Sequence, residues 1–306
     1  MFKEMIMQAL QEKYPEYEFG FEDVKCTNGT TYKGITVKLG PDVPLAPIIP
    51  YEFYENMLKW HRWSMEQVVD DIGRILDERL QIDSIDYSDY QKVKERIVIR
   101  LINYERNAED IKRQPHRRFL DLAIVYRVVV IKTEQTEGSV PVVNEMCEHW
   151  NITEEELFEA AYQNTFGKKG IRIRNISSVV ERLAKECGDN EILEVIANIP
   201  KEREFMFIAD NGTEANGASC ILEKDALRRF AEEKNADLYL LPSSIHEIVI
   251  ACKKEGILAE DLACLVEGAN RCAVAERDIL SDHVYMYSRE EDKILDLCAW
   301  VENNMF

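Results

Sequence analysis

The sequence predicts an α+β fold of mostly antiparallel sheets with packed helices, in two or three subdomains. Three observations predict it. Residues 1–82 read as an α-β-β-β-α unit, and residues 201–306 read as β-β-α-β-β-α-β, the pattern of helices laid on an antiparallel sheet. Between them, residues 83–200 form a mixed α/β section. The chain of 306 residues is long enough for two or three domains at roughly 150 residues each. With 46% hydrophobic and 9% aromatic residues it is globular rather than disordered or fibrous.

The N-terminal unit opens with an amphipathic helix from Phe2 to Lys13, because Phe2, Ile6 and Leu10 recur on one side. Strand-like runs at Tyr17–Cys26 and Thr31–Leu39 flank Asn28-Gly29, a tight-turn pair that tolerates positive φ. The stretch "VKLGPDVPLAPIIPYEFY" is too rich in proline for a central strand and reads as an edge strand and turns. Ser64-x-x-Gln67 is a capping box opening the helix "SMEQVVDDIGRILDERL".

In the middle section, "QIDSIDYSDYQ" reads as a connection, "ERIVIRLINY" as a strand and "ERNAEDIKRQP" as a short helix stopped by Pro115. "FLDLAIVYRVVVI" reads as a buried strand with a helical opening as the alternative, and "VPVVNEMCEHW" as a helix. Thr153-x-x-Glu156 and Ser178-x-x-Glu181 read as capping boxes, with Gly188 ending the second helix. In the last third, "EFMFIADN", "GASCIL", "DLYLLPS", "HEIVIAC" and "DHVYMYS" read as strands. "KDALRRFAEEKN" and "LAEDLACLVEGANR" read as helices.

Charge and targeting signals narrow the function classes. The start has early acids and no uninterrupted apolar segment, so it is not a secretory signal, and the longest apolar run, "LAIVYRVVVI", is half a membrane span and is broken by Arg127. A cytoplasmic protein is expected. Eight cysteines without a CxxC pair read as reduced, mostly buried small hydrophobes. The net charge of −19 argues against nucleic acid or membrane surfaces as the main partner. The acidic excess concentrates in residues 201–306, where 22 acidic side chains face 12 basic ones. It serves solubility, or offers a docking face for a basic protein partner.

The stretch "LPSSIHEIVI" holds Ser243, Ser244, His246 and Glu247, the residue types of a nucleophilic hydrolase. On a strand Ser244 and His246 share one face and Glu247 the other, which a Ser-His-acid triad does not tolerate. There is also no G-x-S-x-G elbow. A turn at Pro242-Ser243-Ser244 with hydroxyls capping backbone groups is the plainer reading. If neighbouring strands bring His246 and Glu247 to Asp282 and His283, the four would suit a divalent metal or acid/base work. No His spacing of a known ligand set supports that, and histidines bonded to carboxylates at a sheet edge are the structural alternative. The basic runs "KRQPHRR" and "GKKGIRIR" suggest a phosphate-facing patch or a guarded strand edge. Asn103, Glu105, Asn107 and Asp121 suggest a buried polar network or a pocket lining.

Taken in order, "LINYERN", "FLDLAIVY", "NTF", "NGASCIL", "LPSSIHE" and "LSDHVYMY" resemble the signature of a bacterial family known only as a domain of unknown function. The resemblance covers most of the chain and is weakest over the first 80 or so residues. It implies no reaction, substrate or catalytic residue. Its members sit among accessory genes and mobile elements, which implies regulatory or defence-related roles.

The expectation is therefore a cytosolic, non-enzymatic protein-binding or regulatory factor with no required cofactor. The alternatives are a metal-dependent hydrolase or small-ligand-binding protein using His246, Glu247, Asp282 and His283, and an acidic mimic of nucleic acid. Asn103, Glu105, Asp121, Ser243 and Ser244 are the candidate binding residues.

Overall fold

Local sequence signals build the N-terminal unit almost as expected. The structure, a computed structural model, describes residues 2–38, 48–80, 86–132, 137–167, 170–198, 205–212 and 216–298. Helix α1 (Phe2–Lys13) buries Ile6 and Leu10 completely. Strands β1 (Glu18–Lys25) and β2 (Thr31–Lys38) pair antiparallel, and Asn28 (φ 60°) and Gly29 (φ 67°) turn the chain between them. The edge strand β3 (Ile48–Pro50) pairs with β2. The segment after β3 corrects the expectation of turns through Tyr54, because Tyr51–Lys59 is helix α2. Pro50 sits just before it, where a missing N–H is harmless, and Tyr51, Tyr54 and Leu58 recur on its buried face. In helix α3 (Met65–Leu80) the capping box forms: Gln67 N–H donates to Ser64 Oγ at 3.2 Å and Ser64 N–H donates to Gln67 Oε1 at 2.8 Å. These elements enclose one apolar core that includes Ile35, Val37, Ile49, Val68, Ile72 and Leu76.

A four-stranded sheet follows the short helix α4 (Tyr90–Val93). Its strands are β4 (Ile97–Asn103), β5 (His116–Phe119), β6 (Leu122–Lys132) and β7 (Glu137–Pro141), with helix α5 (Ala108–Ile111) between the first two. Strand β6 is the spine: β4 runs along one side, while β5 and then β7 pair with the other. The β5–β6 hairpin is absent from the sequence reading, because its turn places Leu120 at φ 56°, a conformation that local propensity assigns to Gly or Asn. Helices α6 (Asn144–Trp150) and α7 (Glu154–Phe166) come next, α7 with the expected Thr153–Glu156 capping box. Asn164 does more than end α7. Its Nδ2 donates to the carbonyls of Lys94 and Ile97, and Thr165 Oγ1 accepts the Ile99 N–H at 3.0 Å, so α7 satisfies the outer edge of β4.

The second sheet has six strands, all antiparallel to their neighbours, in the order β13-β12-β10-β11-β9-β8. Along the chain they and their helices are β8 (Arg172–Asn175), α8 (Ile176–Cys187), α9 (Asn190–Ala197), β9 (Met206–Asp210), α10 (Lys224–Lys234), β10 (Leu238–Leu241), β11 (Ile248–Cys252), α11 (Ala259–Cys272), β12 (Tyr285–Ser288) and β13 (Lys293–Asp296). Helix α8 starts one turn before the expected Ser178 cap: Asn175 Oδ1 accepts the Ser177 N–H at 2.8 Å. Gly188 ends it at φ 72°, as expected. "GASCIL" is a buried 3-10 turn, Gly217–Leu222, not a strand. It is wedged under the Ile245–His246 loop, and a Cβ on Gly217 would lie 2.4 Å from the His246 carbonyl oxygen. Helix α9 and strand β13 are further elements that local sequence patterns do not announce.

Most of the hydrophobic mass lies between the two sheets. Ile97, Ile99, Leu101, Ile124 and Tyr126 of the first sheet share a core with Leu238, Leu240, Ile248, Ile250, Tyr285 and Tyr287 of the second, joined by residues of α7 and α10. The opposite face of the six-stranded sheet buries Tyr239 and Leu241 against Leu262 and Val266 of α11. All eight cysteines are free. Only Cys220 and Cys252 are buried and Cys187, Cys264 and Cys272 are exposed, so the expectation of mostly buried thiols does not hold. Among the described residues, no helix is long and apolar enough to cross a membrane.

Candidate functional site

Strand ends and turns from all three parts of the chain meet around Leu280–His283. Asn103, at the end of β4, is buried and donates from Nδ2 to the Leu280 carbonyl at 3.1 Å, while its Oδ1 accepts the Arg106 N–H at 2.9 Å. Asn107 Nδ2 donates back to the Asn103 carbonyl at 2.8 Å and to Asn28 Oδ1 at 2.9 Å, which brings in the N-terminal hairpin. Asn28 Nδ2 in turn donates to the carbonyls of Glu276 and Ile279, each at 2.8 Å. Glu105 takes no part; it is exposed and faces Arg118 at 3.8 Å.

Asp121 lies at the centre of a second network. Its Oδ2 accepts from Ser281 Oγ at 2.8 Å, and Oδ1 accepts from Tyr285 OH. Burial, and then the neighbouring Asp121 charge, push the Tyr285 phenol well above its ordinary range, so it stays a donor. Ser281 Oγ also accepts the His283 N–H at 2.9 Å. The His283 ring places Nδ1 2.8 Å from Asp296 Oδ2 and 3.9 Å from Asp121 Oδ1. One donor atom each from His283, Asp296 and Cys298 lies within 4.8 Å of the others. A nitrogen, an oxygen and a sulfur ligand at that spacing fit a zinc-like cation, and a carboxylate on Nδ1 equally fits an imidazole held in one tautomer.

The expected four-residue cluster does not assemble as such. Asp282 turns to Arg106 (2.8 Å) and Asn270 (2.7 Å). His246 belongs elsewhere: β11 begins only at Ile248, so Ser244, His246 and Glu247 lie on a loop with no strand alternation. Ser281 N–H donates to the Pro242 carbonyl and Ser244 bridges Ile279. His246 therefore follows the Ser244–Ile279 bridge, whereas His283 lies past the Ser281–Pro242 bond at the opposite end of that pairing. His246 Nδ1 accepts the Asn216 N–H at 3.3 Å and Nε2 lies 3.7 Å from Asp278 Oδ2. Burial raises the Asp278 carboxyl, but the His246 hydrogen bond and the charges of His246, Arg277 and Arg100 outweigh it and hold the group low. Burial pushes the Glu247 carboxyl above its ordinary range, and His246 and Ser244 offset only part of this. Ser244 Oγ accepts the His246 N–H at 3.0 Å, the hydroxyl-to-backbone role expected there, while Ser243 engages through its backbone carbonyl, which accepts the Leu280 N–H at 3.0 Å.

The basic runs are engaged with acids. Arg172 and Arg174 each donate at 2.7 Å to Asp210, which is 3% exposed and so needs both. Arg117 donates to Glu154 at 2.8 Å and to Glu155 at 2.5 Å, and stacks 4.0 Å from the Phe158 ring. Lys168 and Lys169 lie outside the described residues.

A cavity of about 650 Å³ opens where the β1–β2 hairpin faces the outer side of the first sheet and the turn before Leu280. Lys25 and Tyr32 come from the hairpin, Arg100, Arg113 and Arg127 from the middle section, and Arg277 and Asp278 from the last third.

A model of a family of unknown function, DUF5688, matches residues 1–289, nearly the whole chain. The chain belongs to this family. No curated protein and no solved structure matches it. Membership in DUF5688 brings a family but no reaction, so chemistry has to be read from the geometry.

Several residues at these sites escaped the sequence reading. Asp296 and Cys298 lie beyond the last strand legible in the sequence. Arg100 and Arg127 did leave a signal: each interrupts an otherwise apolar strand, "ERIVIRLINY" and "AIVYRVVVI". In antiparallel register Arg100 faces Val125 and Arg127 faces Val98, so both arginines lie on the same face. That face is the cavity wall.

Proposed function

We propose that this DUF5688 protein is a non-enzymatic, cytosolic binding protein whose ligand is a small molecule held in the cavity between the N-terminal hairpin and the first sheet. The observation that supports this reading is the cavity itself: about 650 Å³, walled by residues from all three parts of the chain. Small-molecule sites typically span about 300–1,000 Å³ and prefer junctions between structural units. A ligand there would touch the Asn28 turn, Arg100 and Arg277 together, and so would tighten the docking of the N-terminal unit. Exposed Leu183, Ile192 and Val195 on the α8–α9 pair offer an apolar surface through which a regulatory factor would meet a protein partner. Ser244 fits a structural role, because its hydroxyl accepts the His246 backbone N–H.

The test is a ligand-observed NMR screen of a metabolite mixture, run on the full chain and on Gln114→Trp, which places an indole in the cavity. Compounds that bind the first and not the second support the reading. Equal binding to both, or binding to neither, counts against it.

A second reading rests on His283, Asp296 and Cys298, whose donor atoms lie within 4.8 Å of one another: a divalent cation held at the end of β13. Native mass spectrometry before and after chelator addresses it. Extra mass that a chelator removes, and that His283→Gln with Cys298→Ser never acquires, supports the cation. The bare 35.6 kDa mass after incubation with zinc excludes it.

A further inference from the structure

Helix α11 turns one side to the six-stranded sheet and leaves the other uncovered. Leu262, Val266 and Asn270 form its buried side. On its exposed side Leu258, at the N-cap, and Leu265 are 55% and 58% exposed. With Asp261, Gly268 and Cys272 they recur at alternating three- and four-residue spacings. That spacing is the seam along which two helices pack side by side. We infer that this seam pairs with the same seam of a second copy of the chain, the two helices running antiparallel about a two-fold axis. The inference is independent of the proposed small-ligand site.

Shape sets the register. Leu265 is a knob, and Gly268 one turn later is a hole, because a Cβ added there would meet nothing within 4 Å. When Leu265 of one copy enters the gap over Gly268 of the other, a two-fold axis makes the same contact a second time in reverse. The axis then passes midway between Leu265 and Gly268. In that register Asp261 of each copy faces Cys272 of the other and lies beside its Arg271.

Charge selects the same register. Asp261 lies in the first turn of α11 and Arg271 in the last. Both are exposed, and among the described residues neither side chain has a hydrogen-bond or ion-pair partner. Along one helix they are ten residues apart, about 15 Å at ~1.5 Å per residue, too far to meet. Antiparallel pairing closes that distance twice, with Asp261 of each copy against Arg271 of the other. Parallel pairing would set acid against acid and base against base. A helix of unrelated sequence would need its own knob and reversed charges at matching positions, whereas a second copy supplies both by symmetry.

The size of the contact sets its strength. Helix α11 has 14 residues, about 21 Å at ~1.5 Å per residue. One helix pair of that length covers less than the roughly 800 Å² per partner of a stable dimer. The dimer therefore forms and separates with concentration. Each copy carries a net charge of −19, and at ~0.15 M salt a Debye length of about 8 Å screens the long-range part of their repulsion.

Sedimentation velocity of the full chain, from about 1 μM to about 500 μM at ~0.15 M salt, tests this. The expected result is exchange between the 35.6 kDa chain and a species of twice that mass, which gains as concentration rises. Leu265→Glu should weaken the dimer about 100-fold, because it puts two carboxylates into the seam. Its position is exposed, so circular dichroism should show the parent's fold. Asp261→Arg should weaken the dimer about tenfold, and so should Arg271→Asp. The two changes combined should restore it to within about threefold of the parent, since the charges then meet again in reverse. A monomer at every concentration would overturn the inference. So would a dimer that Leu265→Glu leaves intact, including one that Val195→Glu in the α8–α9 pair dissociates instead. Single charge changes without effect, or a combined change no better than either alone, would overturn the antiparallel register.

Discussion

Asn28 and Asn107 hold each other by two hydrogen bonds: the Asn28 N–H donates to Asn107 Oδ1 at 2.7 Å, and Asn107 Nδ2 donates to Asn28 Oδ1 at 2.9 Å. The pair joins the tip of the N-terminal hairpin to the turn after β4. Asn28 reaches this position because it adopts φ 60°, a conformation asparagine tolerates better than most residues. The same turn forms part of the cavity rim through Thr27, whose hydroxyl donates to the Arg277 carbonyl at 2.6 Å.

Asn107→Ala removes both bonds and leaves the Asn28 amide and the Asn103 carbonyl short of partners. A loss of about 1–3 kcal/mol is expected. Hydrogen exchange should locate it: amides of β1 and β2 exchange faster while the six-stranded sheet keeps its protection. Uniform acceleration across the chain would mean that the pair does not act as a local tie.

Tyr285→Phe takes one donor from Asp121. Tyr285 is fully buried, so little water can replace its hydroxyl. Urea denaturation should show a loss of about 1–3 kcal/mol. Asp121→Asn with Tyr285→Phe should cost less than the sum of the single changes, because the two groups share one bond. Strict additivity would contradict the coupling.

Thr165→Val tests how the outer edge of β4 is closed. The valine matches threonine in shape but leaves the buried Ile99 N–H unsatisfied, where Thr165 Oγ1 had accepted it at 3.0 Å. About 1–3 kcal/mol should be lost, and Thr165→Ser should keep most of it. Equal stability of the valine variant and the parent would show that the edge needs no cap.

Glu247 sets a pH dependence. Burial raises its folded-state carboxyl pKa above the unfolded value, so the native state holds the proton more tightly. Its contribution is therefore most favourable below the unfolded pKa and is lost as pH rises through the raised folded pKa. Glu247→Gln cannot ionise. The variant should melt above the parent at pH 7–8, and the gap should narrow toward pH 4. A gap that widens on acidification would reverse the assignment.

Features encoded over a few residues were legible before any tertiary contact. Helix α1, the Asn28-Gly29 turn, the caps at Ser64 and Thr153 and the stop at Gly188 each depend on dihedral preference or on a side chain reaching its own backbone. The elements that were not legible depend on distant partners. "GASCIL" has the composition of a strand but is folded into a 3-10 turn by the Ile245–His246 loop pressing on Gly217. Leu120 takes a positive φ because β5 must return along β6. Helix α2 was hidden by prolines that precede it.

The candidate site divides along the same line. The sequence by itself determined that Asn103, Asp121, Ser244 and His283 are polar residues set among core-like segments, and that Arg100 and Arg127 interrupt apolar strands. Only the tertiary structure decided that His283 meets Asp296 rather than His246, and that the two arginines line one wall with Arg277. The reason is strand register. Side chains alternate faces every residue along a strand, while the partners they meet are fixed by pairings between distant segments, so that Ser281 and Asp121 meet although 160 residues separate them. Those pairings are selected by the energy of burying the whole sheet, which no short stretch of sequence contains.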